Sequence, residues 1–414
     1  MKILIIGGGG REHAIAAAFT AENAGHEIVL SPGNAGIALE YPCVILEGQA
    51  KIVEWCLREK PSLVFIGPEQ PLAEGLADLL NEHKIPCIGP SQAAARIETS
   101  KIFAKELMAK ANVPTASWTA FDDPGLALKH IIAKGNYPLV IKADALAAGK
   151  GVFIARSESE AQAAFQELSA LCCTGSSVVV EEFLEGWEVS LFAFTDGEDF
   201  QTTLFVQDYK QIGDRDTGSN TGGMGAVCPI LEAEPYRQQI EAEIISPILK
   251  AMRDAGCPYR GILYCGLMIT ARGPCILEFN CRLGDPETQA LLPLLQTPLS
   301  EVCAAILQNR VRKLRLEWKD QYSVCVVLAS AGYPGSFQKG FPIRLSKGLA
   351  SRIYFSGVKS QLGSLITSGG RVLSLVALDE SMEAARRNVY RDVGETDFTG
   401  KCYRSDVSLR LNAL

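Results

Sequence analysis

The sequence lacks dense runs of lysine or arginine and has no long hydrophobic run. Its 40 Lys and Arg residues are outnumbered by 47 Asp and Glu residues, which gives a net charge of −7 over 414 residues. Nucleic acid and membrane partners are therefore not expected. The apolar run at residues 3–6 is too short for a signal peptide or a membrane span.

Regular cysteine spacing, low-complexity tracts and repeats of fixed period are also absent. The 13 cysteines are scattered, no CxxC motif occurs, and the only close pair is Cys172 and Cys173. This pattern indicates reduced thiols, mostly buried in cores, in a cytoplasmic protein. The chain is too long for a single core, so two to four domains are expected.

A dinucleotide-binding signature is missing from the first glycine-rich turn. The turn lies between the first predicted strand and its helix, where a ligand loop is expected. However, counting GxGxxG from Gly7 places Glu12 at the third glycine, and counting from Gly8 places His13 there. Residues 30–34, at the end of the second strand, provide no acid for a ribose. NAD binding is disfavoured, although such a turn can receive a carboxylate or a phosphate.

Short apolar strands alternate with helical stretches up to about residue 100, which predicts an open parallel α/β sheet. Strands are expected at residues 2–6, 27–30, 43–46, 63–66 and 87–88, and helices at residues 12–23, 49–60 and 72–83. The turns at residues 33–36 and 67–71 open at the same edge as the first glycine-rich turn. Each alone is most often a plain tight turn, but three at one edge favour a binding crevice.

A small α/β lobe is expected between residues 118 and 188. One of its strands ends at Lys142 and leads into a glycine-containing turn whose amides can approach phosphates closely. This turn is not a Walker A motif, because Gly151 stands where Ser or Thr should follow Gly149 and Lys150.

The last predicted strand of this lobe is followed by a short acidic connection to the next part of the chain. Extended backbone there can pair with an adenine edge, and Glu188 can accept hydrogen bonds from ribose hydroxyls. An exposed acidic linker is an equally good interpretation of the residues alone. The helix that precedes the lobe, capped by Thr99 or Ser100, carries Lys101 and Lys105 on one face; most such lysines are merely solvated.

Residues 210–225 contain almost no apolar side chains. A long polar stretch inside a compact domain is usually functional or disordered. Its mixture of four charged residues with Asn, Thr and five glycines favours a substrate loop. Residues 232–253 are expected to form a helix that Pro247 kinks.

Alternating apolar and polar residues before Asn280 predict a strand with Glu278 and Asn280 on one face. A carboxylate and an amide oxygen are hard ligands of the kind that Mg²⁺ takes together with phosphates. Arg282 follows on the same face and can hold a phosphate oxygen, and Asp285 and Glu287 add charge where the strand ends. A half-exposed strand with solvated polar residues is the alternative.

The chain after residue 323 is expected to form a C-terminal α+β lobe. Strands are predicted at residues 323–328 and 371–377, and a helix at residues 382–390. No catalytic residue is expected in this lobe, so it is predicted to close over a site built elsewhere.

Six segments together resemble one family along nearly the whole chain, the phosphoribosylamine–glycine ligases (glycinamide ribonucleotide synthetases) of the ATP-grasp superfamily. The segments are residues 8–13, 32–36, 67–69, 142–144 with 149–151, 216–225 and 278–287. Each motif is weak alone, whereas all six in order and at the family's spacing are very specific.

The resemblance implies an ATP-grasp fold of the α/β class. The expected parts are an N-terminal open parallel α/β domain at residues 1–100, a connecting helix at 101–117, a mobile lid lobe at 118–188, a central antiparallel-sheet domain with the metal site at 189–322, and a C-terminal α+β domain at 323–414.

The resemblance also implies a monomeric ligase that joins glycine to 5-phosphoribosylamine through a glycyl phosphate. ATP and Mg²⁺ or Mn²⁺ are the expected cofactors. An ATP-grasp carboxylase that acts on a purine precursor or on biotin is the alternative. A dehydrogenase and a non-catalytic binding protein are more distant rivals.

Site residues carry over from the resemblance position by position. Lys101 and Lys142 match the lysines that bind ATP phosphates, residues 181–184 the adenine hinge, and Glu188 the ribose ligand. Glu278 and Asn280 match the metal ligands. The expected catalytic residues are Lys142, Arg282 and Asp285. The expected nucleotide-binding residues are Lys101, Lys142, Gly149, Lys150, Gly151, Glu181, Glu182, Phe183, Leu184 and Glu188. The expected substrate-binding residues are Gly10, Arg11, Glu12, His13, Pro32, Gly33, Asn34, Gly67, Pro68, Glu69, Asp214, Asp216, Thr217, Asn220, Thr221, Gly222, Gly223, Met224, Asp285 and Glu287.

Four positions depart from the family pattern: Gly8, Ala145, Trp187 and Ser219. None of them removes a ligand, although Ala145 replaces a glycine in the nucleotide lid. Residues 266–268 offer no second acid one strand before the metal strand, so the ligands of a second Mg²⁺ are not assigned.

Overall fold

The N-terminal part of the chain forms a four-stranded parallel sheet in the order β2-β1-β3-β4, which confirms the predicted sheet class. The computed structural model describes residues 1–146, 151–171 and 177–409, so Gly149, Lys150, Cys172 and Cys173 lie outside the described residues. The elements of this domain are β1 (Lys2–Gly7), α1 (Gly10–Ala21), β2 (Glu27–Pro32), α2 (Gln49–Glu59), β3 (Leu63–Ile66), α3 (Glu69–Ala73), α4 (Leu76–Glu82), β4 (Cys87–Ile88) and α5 (Gln92–Thr99).

Two elements of this domain differ from the prediction. Residues 43–46 do not form a strand: Cys43 makes a single bridge to Leu30, and Ile45 is 77% exposed. The predicted helix at residues 72–83 is split into α3 and α4. Gly75 has φ +84° at the break, a left-handed conformation that glycine adopts without steric cost.

A connecting helix leads into a separate small lobe. Helix α6 (Lys101–Ala111) is capped by Ser100, whose hydroxyl accepts from the Phe103 amide at 3.1 Å. The lobe contains β5 (Trp118–Phe121), α7 (Pro124–Lys134), β6 (Leu139–Ala143), β7 (Val152–Ala155), α8 (Glu158–Leu171) and β8 (Val178–Glu182). Its antiparallel sheet has the order β5-β8-β6-β7 and buries an apolar cluster of its own.

The central domain is built on an antiparallel sheet of order β10-β9-β15-β16. Its elements are β9 (Trp187–Thr195), β10 (Phe200–Thr202), β11 (Gln207–Asp208), β12 (Gln211–Gly213), β13 (Thr217–Asn220), β14 (Gly225–Cys228), α9 (Arg237–Ile240), α10 (Ser246–Asp254), β15 (Gly261–Thr270), β16 (Gly273–Asn280), α11 (Glu287–Leu291) and α12 (Leu299–Leu307). A π-helical turn, Glu241–Ile245, joins α9 to α10 directly before Pro247. The irregularity lies where the proline removes a backbone donor.

The C-terminal sheet recruits strands from the central part of the chain. Its order is β11-β14-β17-β22-β19, and β24 also pairs with β17. The C-terminal elements are β17 (Tyr322–Ser330), β18 (Arg344–Leu345), β19 (Arg352–Phe355), β20 (Val358–Gln361), β21 (Ser364–Thr367), β22 (Arg371–Asp379), α13 (Met382–Gly394), β23 (Thr396–Asp397) and β24 (Lys401–Cys402). This sheet therefore crosses residue 323, and the exact domain boundaries stay predictions. No described helix is long and apolar enough to span a bilayer.

A buried arginine fastens the β12–β13 hairpin to the C-terminal segment. Arg404 has no exposed side-chain surface and pairs with Asp216 at 2.8 Å and with Asp406 at 2.7 Å. Its guanidinium also lies 4.9 Å from the ring centroid of Tyr209. Because a buried charge is stable only when it is paired, this arginine fixes the hairpin in place.

Replacing Arg404 by methionine should destabilise the fold strongly. The change leaves two carboxylates without their buried partner, and losing one member of a buried pair costs about 3–5 kcal/mol. The free energy of unfolding is measured by urea denaturation. Arg58→Met is the matched control, because Arg58 forms an exposed pair with Glu59 that contributes at most about 1 kcal/mol. Equal losses in the two variants would contradict the anchoring role.

Candidate active site

A cleft of about 390 Å³ lies where the connecting helix, the lobe, the central sheet and the C-terminal sheet meet. Many residues predicted from the sequence line this one cleft, although they are far apart in the chain. They are Arg11, Glu69, Lys101, Lys142, Gly151, Glu181, Glu182, Phe183, Leu184, Glu188, Asn220, Thr221, Gly222, Glu278, Asn280, Arg282, Asp285 and Glu287.

Strand β16 brings the two predicted metal ligands to the cleft. Antiparallel pairing with β15 sets Glu278 opposite Gly266 and Asn280 opposite Tyr264. The register shift in this pair falls before Glu278, so both side chains stay on the same face. Because the amide nitrogen of Asn280 donates to the Phe279 carbonyl at 2.9 Å, its oxygen is left as an acceptor.

The donor set at β16 fits a divalent cation that is shared with phosphates. Mg²⁺ is commonly held by one or two carboxylates, waters and substrate phosphates instead of a complete protein cage. Accordingly, the described residues contain no group of three or more His, Cys, Asp and Glu side chains placed to hold a metal. A Cβ at Gly266 would lie 3.2 Å from the Tyr264 ring and 3.3 Å from Glu278. Little room therefore exists at position 266 for a second acid.

Two of the predicted phosphate lysines reach the same region from different elements. Lys142 on β6 donates to the Leu277 carbonyl at 3.0 Å and pairs with Glu181 at 3.0 Å. Lys101 at the start of α6 donates to the Ala145 carbonyl at 3.2 Å. Burial lowers the pKa of Lys101, although the nearby Glu278 carboxylate opposes this shift.

The last two residues of β8 point their side chains in opposite directions. Glu181 points inward, with only 2% of its side chain exposed, and pairs with Lys142 and Lys105. Glu182 points outward to Ser117 and Arg272. Both residues line the cleft together with Phe183 and Leu184, the first residues of the connection to β9.

A second acidic group lies beyond the hinge. Glu188 pairs with Lys210 at 2.7 Å. Asp208 lies close by and lines the cleft. Burial, together with the charges of Glu287 and Glu188, raises the pKa of Asp208 to about 7, although Lys210 opposes this shift.

Arg282 is held by two carboxylates at the N-terminal side of the cleft. Its Nε donates to Glu69 at 3.1 Å and its Nη2 donates to Glu98 at 2.9 Å. Burial alone would lower the pKa of Arg282, but these two carboxylates raise it above its ordinary value. Arg282 is therefore a permanently charged and well-oriented group.

The C-terminal sheet contributes a second arginine, Arg371 on β22. Its Nη1 donates to the carbonyls of Gly222 and Asp285, the latter at 2.7 Å, and pairs with the Asp285 carboxylate at 3.3 Å. Burial would raise the pKa of Asp285, but Arg371, Arg11 and the Gln289 amide outweigh it and hold the pKa below its usual value. The structure thus corrects the prediction that the C-terminal lobe only covers the site.

Comparisons with known proteins agree with this architecture along the whole chain. Profiles of the phosphoribosylglycinamide synthetase N domain, ATP-grasp (A) domain and C domain match residues 1–98, 99–288 and 323–410. The chain belongs to the phosphoribosylglycinamide synthetase family. The family predicted from the sequence is thereby confirmed.

Individual members of the family and one more distant structure are similar over nearly full length. A phosphoribosylamine–glycine ligase of Caldanaerobacter subterraneus is 44% identical, with 99% of each chain covered. The crystal structure of a phosphoribosylamine–glycine ligase from Thermotoga maritima has a TM-score of 0.86 at 35% identity, with 99% of this chain and 100% of that chain covered. A biotin carboxylase from Campylobacter jejuni has a TM-score of 0.71 at 14% identity, with 99% and 98% covered, and so shares the fold alone.

Few of the N-terminal residues predicted to bind substrate line the cleft of this family member. Of the described residues predicted to bind substrate there, only Arg11 and Glu69 line the cleft. His13 is fully buried: its Nδ1 accepts from the Phe355 amide at 3.1 Å, and its Nε2 lies 3.3 Å from Glu40. His13 is therefore a packing residue between α1 and β19.

The other N-terminal residues shape the loops from within. Glu12 is 3% exposed and binds Arg11 at 2.6 Å and the Gly9 amide at 2.7 Å. Asn34 donates to the carbonyls of Gly8, Phe355 and Ser356 and accepts from two amides of its own turn. Turn residues that do not line the cleft are Gly10, Pro32, Gly33, Gly67 and Pro68.

The polar stretch at residues 210–225 is a hairpin with ligand-facing ends and not a substrate loop throughout. Asn220, Thr221 and Gly222 line the cleft. The predicted residues Asp214, Asp216 and Thr217 lie at the far end, where Ser405 and Arg404 bind the two aspartates. Met224 is fully buried in the core, and Gly223 is the glycine against which Pro286 packs.

Besides the predicted site residues and Lys210 of the predicted substrate loop, five polar residues line the cleft: Glu98, Lys105, Asp208, Tyr264 and Arg371. Lys105 could have been predicted from the sequence to face the same site as Lys101, because the two lysines share a helix face at i, i+4 spacing. The other four lie on separate elements that only the tertiary fold brings together.

Replacing Arg371 by methionine should cost about 1–3 kcal/mol of unfolding free energy at pH 7, because buried acceptors lose their donor. The cost should shrink as the pH falls below 3.8, the usual carboxyl value. A depressed pKa stabilises the fold above that pH and ceases to do so once Asp285 is protonated. Urea denaturation at pH 7 and pH 3 measures both values. Arg344→Met, an exposed change on β18 in the same C-terminal part of the chain, is the control, and a loss independent of pH would contradict the role of Asp285.

Proposed function

We propose that this chain is an ATP-dependent ligase that joins glycine to 5-phosphoribosylamine and gives glycinamide ribonucleotide, ADP and phosphate. The single observation that carries the proposal is the cleft, in which phosphate-binding cations, a metal strand and an N-terminal arginine meet. The ligase activity predicted from the sequence agrees with the names of the full-length relatives.

The chemistry explains why such a cleft is needed. A carboxylate does not condense with an amine at neutral pH, because its oxygen is a poor leaving group. Transfer of the γ-phosphoryl group to the glycine carboxylate forms a glycyl phosphate and releases ADP. The amine of phosphoribosylamine then attacks the glycyl carbon, and inorganic phosphate leaves. Phosphoryl transfer depends mainly on positioning and on neutralising charge.

The proposed nucleotide contacts follow from the positions of the cleft residues. Lys101 and Lys142 bind the phosphates, residues 181–184 bind the adenine edge, and Glu188 binds the ribose. Arg282 is held in a fixed orientation by Glu69 and Glu98, which is the preorganisation that transition-state charge requires.

Glu278 and Asn280 are the proposed ligands of Mg²⁺ or Mn²⁺. A cation held by these two residues would supply neutralisation of phosphate charge during the transfer. The two protein groups supply one negative charge and one neutral oxygen, so they bind the cation together with the nucleotide and not alone.

The substrates are proposed to bind at the opposite end of the cleft from the adenine hinge. Arg371 pairs with Asp285 at 3.3 Å, and Arg11, Thr221, Gly222 and Glu287 line the same cleft. Carboxylates at this position can bind the glycine ammonium group and the amine of phosphoribosylamine, and Arg11 can bind a ribose phosphate. The roles of Asp285 as a catalytic residue, the monomeric state and the cytoplasmic location stay predictions.

Omitting one reactant at a time tests the proposed reaction. Phosphate release from Mg²⁺-ATP should require glycine and phosphoribosylamine together, because the glycyl phosphate is kept from water until the amine arrives. A coupled phosphate assay measures the rate. Bicarbonate is the control for the carboxylase alternative, and bicarbonate-dependent release of phosphate without glycine would contradict the proposal.

Replacing Glu278 by glutamine should raise the Mg²⁺ concentration needed for half-maximal turnover and lower the maximal rate. Loss of one preorganised charged group of this kind costs about 10²- to 10³-fold in turnover. Glu301→Gln, a solvent-facing change on α12, is the control and should leave both values unchanged. A Glu278→Gln enzyme with the wild-type Mg²⁺ requirement would exclude Glu278 as a metal ligand.

A further inference from the structure

Three buried charged groups form one wall of the cleft. Glu181 on β8 lies between Lys105 on α6, at 3.2 Å, and Lys142 on β6, at 3.0 Å. Their side chains are 2%, 3% and 8% exposed, respectively. Lys105 has no place among the nucleotide contacts proposed above, yet burying an ammonium group is costly unless it is well paired.

Lys105 is also connected by hydrogen bonds to β16, the strand that carries the proposed metal ligands. Its Nζ donates to the Thr115 hydroxyl at 2.8 Å, and this hydroxyl donates to the Ile276 carbonyl at 2.7 Å. Lys142 donates to the next carbonyl, that of Leu277. The three charges are therefore fixed relative to each other and to Glu278, one residue further along β16.

The charge of this group depends on Lys105. With both lysines protonated, the triad carries one net positive charge. Without the charge of Lys105, the Glu181 carboxylate would neutralise Lys142 completely. In a partly buried site with a low effective dielectric constant, one unit charge changes the attraction for phosphates substantially.

We propose that Lys105 is a positioning residue for the nucleotide. It shares the Glu181 carboxylate with Lys142, and so leaves Lys142 with net positive charge for the ATP phosphates. This role rests on the proposed ATP site. It predicts that loss of the Lys105 charge weakens the binding of the ATP phosphates but not the binding of the adenosine part.

The titration of Lys105 provides a second way to remove its charge. Burial lowers the pKa of Lys105 to about 8, although Glu181 opposes the shift. The other groups that face it are Lys142 on β6 and the Cys275 thiol on β16, and Lys101 lies one turn earlier on α6. Since Lys105 loses its proton as the pH rises through about 8, the affinity for phosphates should fall over the same range.

The test compares ATP with adenosine in the Lys105→Met variant of the full chain. Calorimetry at pH 7 with Mg²⁺ should show ATP binding weakened about tenfold, as expected for one charge in a site of intermediate dielectric constant. Adenosine binding should stay within about twofold, because adenosine carries no phosphate. Lys110→Met on the same helix is the matched control, since Lys110 is exposed, and it should change neither affinity.

A double variant separates charge from packing. Lys105→Met with Glu181→Gln restores one net positive charge to the triad without restoring either original side chain. The ratio of ATP to adenosine affinity should return to within about threefold of the wild-type ratio, whereas a packing role for Lys105 would make the two changes at least additive. In the wild type, this ratio should also fall between pH 7 and pH 9, and in Lys105→Met it should fall less.

Two results would overturn the role of Lys105. One is a folded Lys105→Met variant, by circular dichroism, whose ATP and adenosine affinities are unchanged or fall equally. The other, which applies even if the variant does not fold, is a wild-type ratio that stays constant between pH 7 and pH 9. A wild-type chain that binds no ATP would instead refute the proposed function, so the two failures are distinguishable.

Discussion

The hydrogen bonds to the backbone of strand β16 are the constraint on which the cleft depends. The carbonyls of Ile276 and Leu277 accept from Thr115 and Lys142, and the next polar residues are the proposed metal ligands Glu278 and Asn280. These acceptors and proposed ligands are almost consecutive residues of β16. The connecting segment, the small lobe and the central sheet are therefore all positioned relative to the same short stretch of backbone. The pairing of β16 with β15, and of β15 with β9, makes this stretch of backbone rigid. Strand pairing thus fixes the part of the cleft that contains the proposed metal ligands.

Several cations of the cleft already have carboxylate partners. Arg282 pairs with Glu69 and Glu98, and Arg371 pairs with Asp285. Lys142 and Lys210 pair with Glu181 and Glu188 in the same way. Such pairing offsets the cost of burying each charge and fixes its orientation before a ligand arrives. The triad of Lys105, Glu181 and Lys142 nevertheless keeps one net positive charge, and Lys101 donates to a carbonyl, so positive charge remains for the proposed phosphates.

The sequence was sufficient for residues whose role follows from local periodicity. Strand alternation placed Glu278 and Asn280 on one face, and the strand end at Lys142 was confirmed to within one residue. It was insufficient wherever a polar side chain is buried by a distant element. Arg404, which has no exposed side-chain surface, anchors the stretch that was predicted to be a substrate loop. No sequence pattern near residue 404 predicts this contact. Arg371 was missed for the same reason, because β22 reaches the cleft only through the C-terminal sheet.

In the glycine-rich turn after β1, some residues face the cleft and others hold those residues in place. A Cβ at Gly7 or Gly67 would overlap the Glu12 side chain, at 2.5 Å and 2.3 Å, so both glycines make room for this buried carboxylate. Glu12 in turn binds the Nε of Arg11, whose Nη1 donates to the Leu283 carbonyl shortly after the end of β16. The glycines therefore act indirectly: they allow Glu12 to be buried, and Glu12 orients Arg11 toward the cleft. A resemblance in sequence identifies such a motif as a unit, whereas only the packing distinguishes the residue that faces the ligand from those that hold it in place.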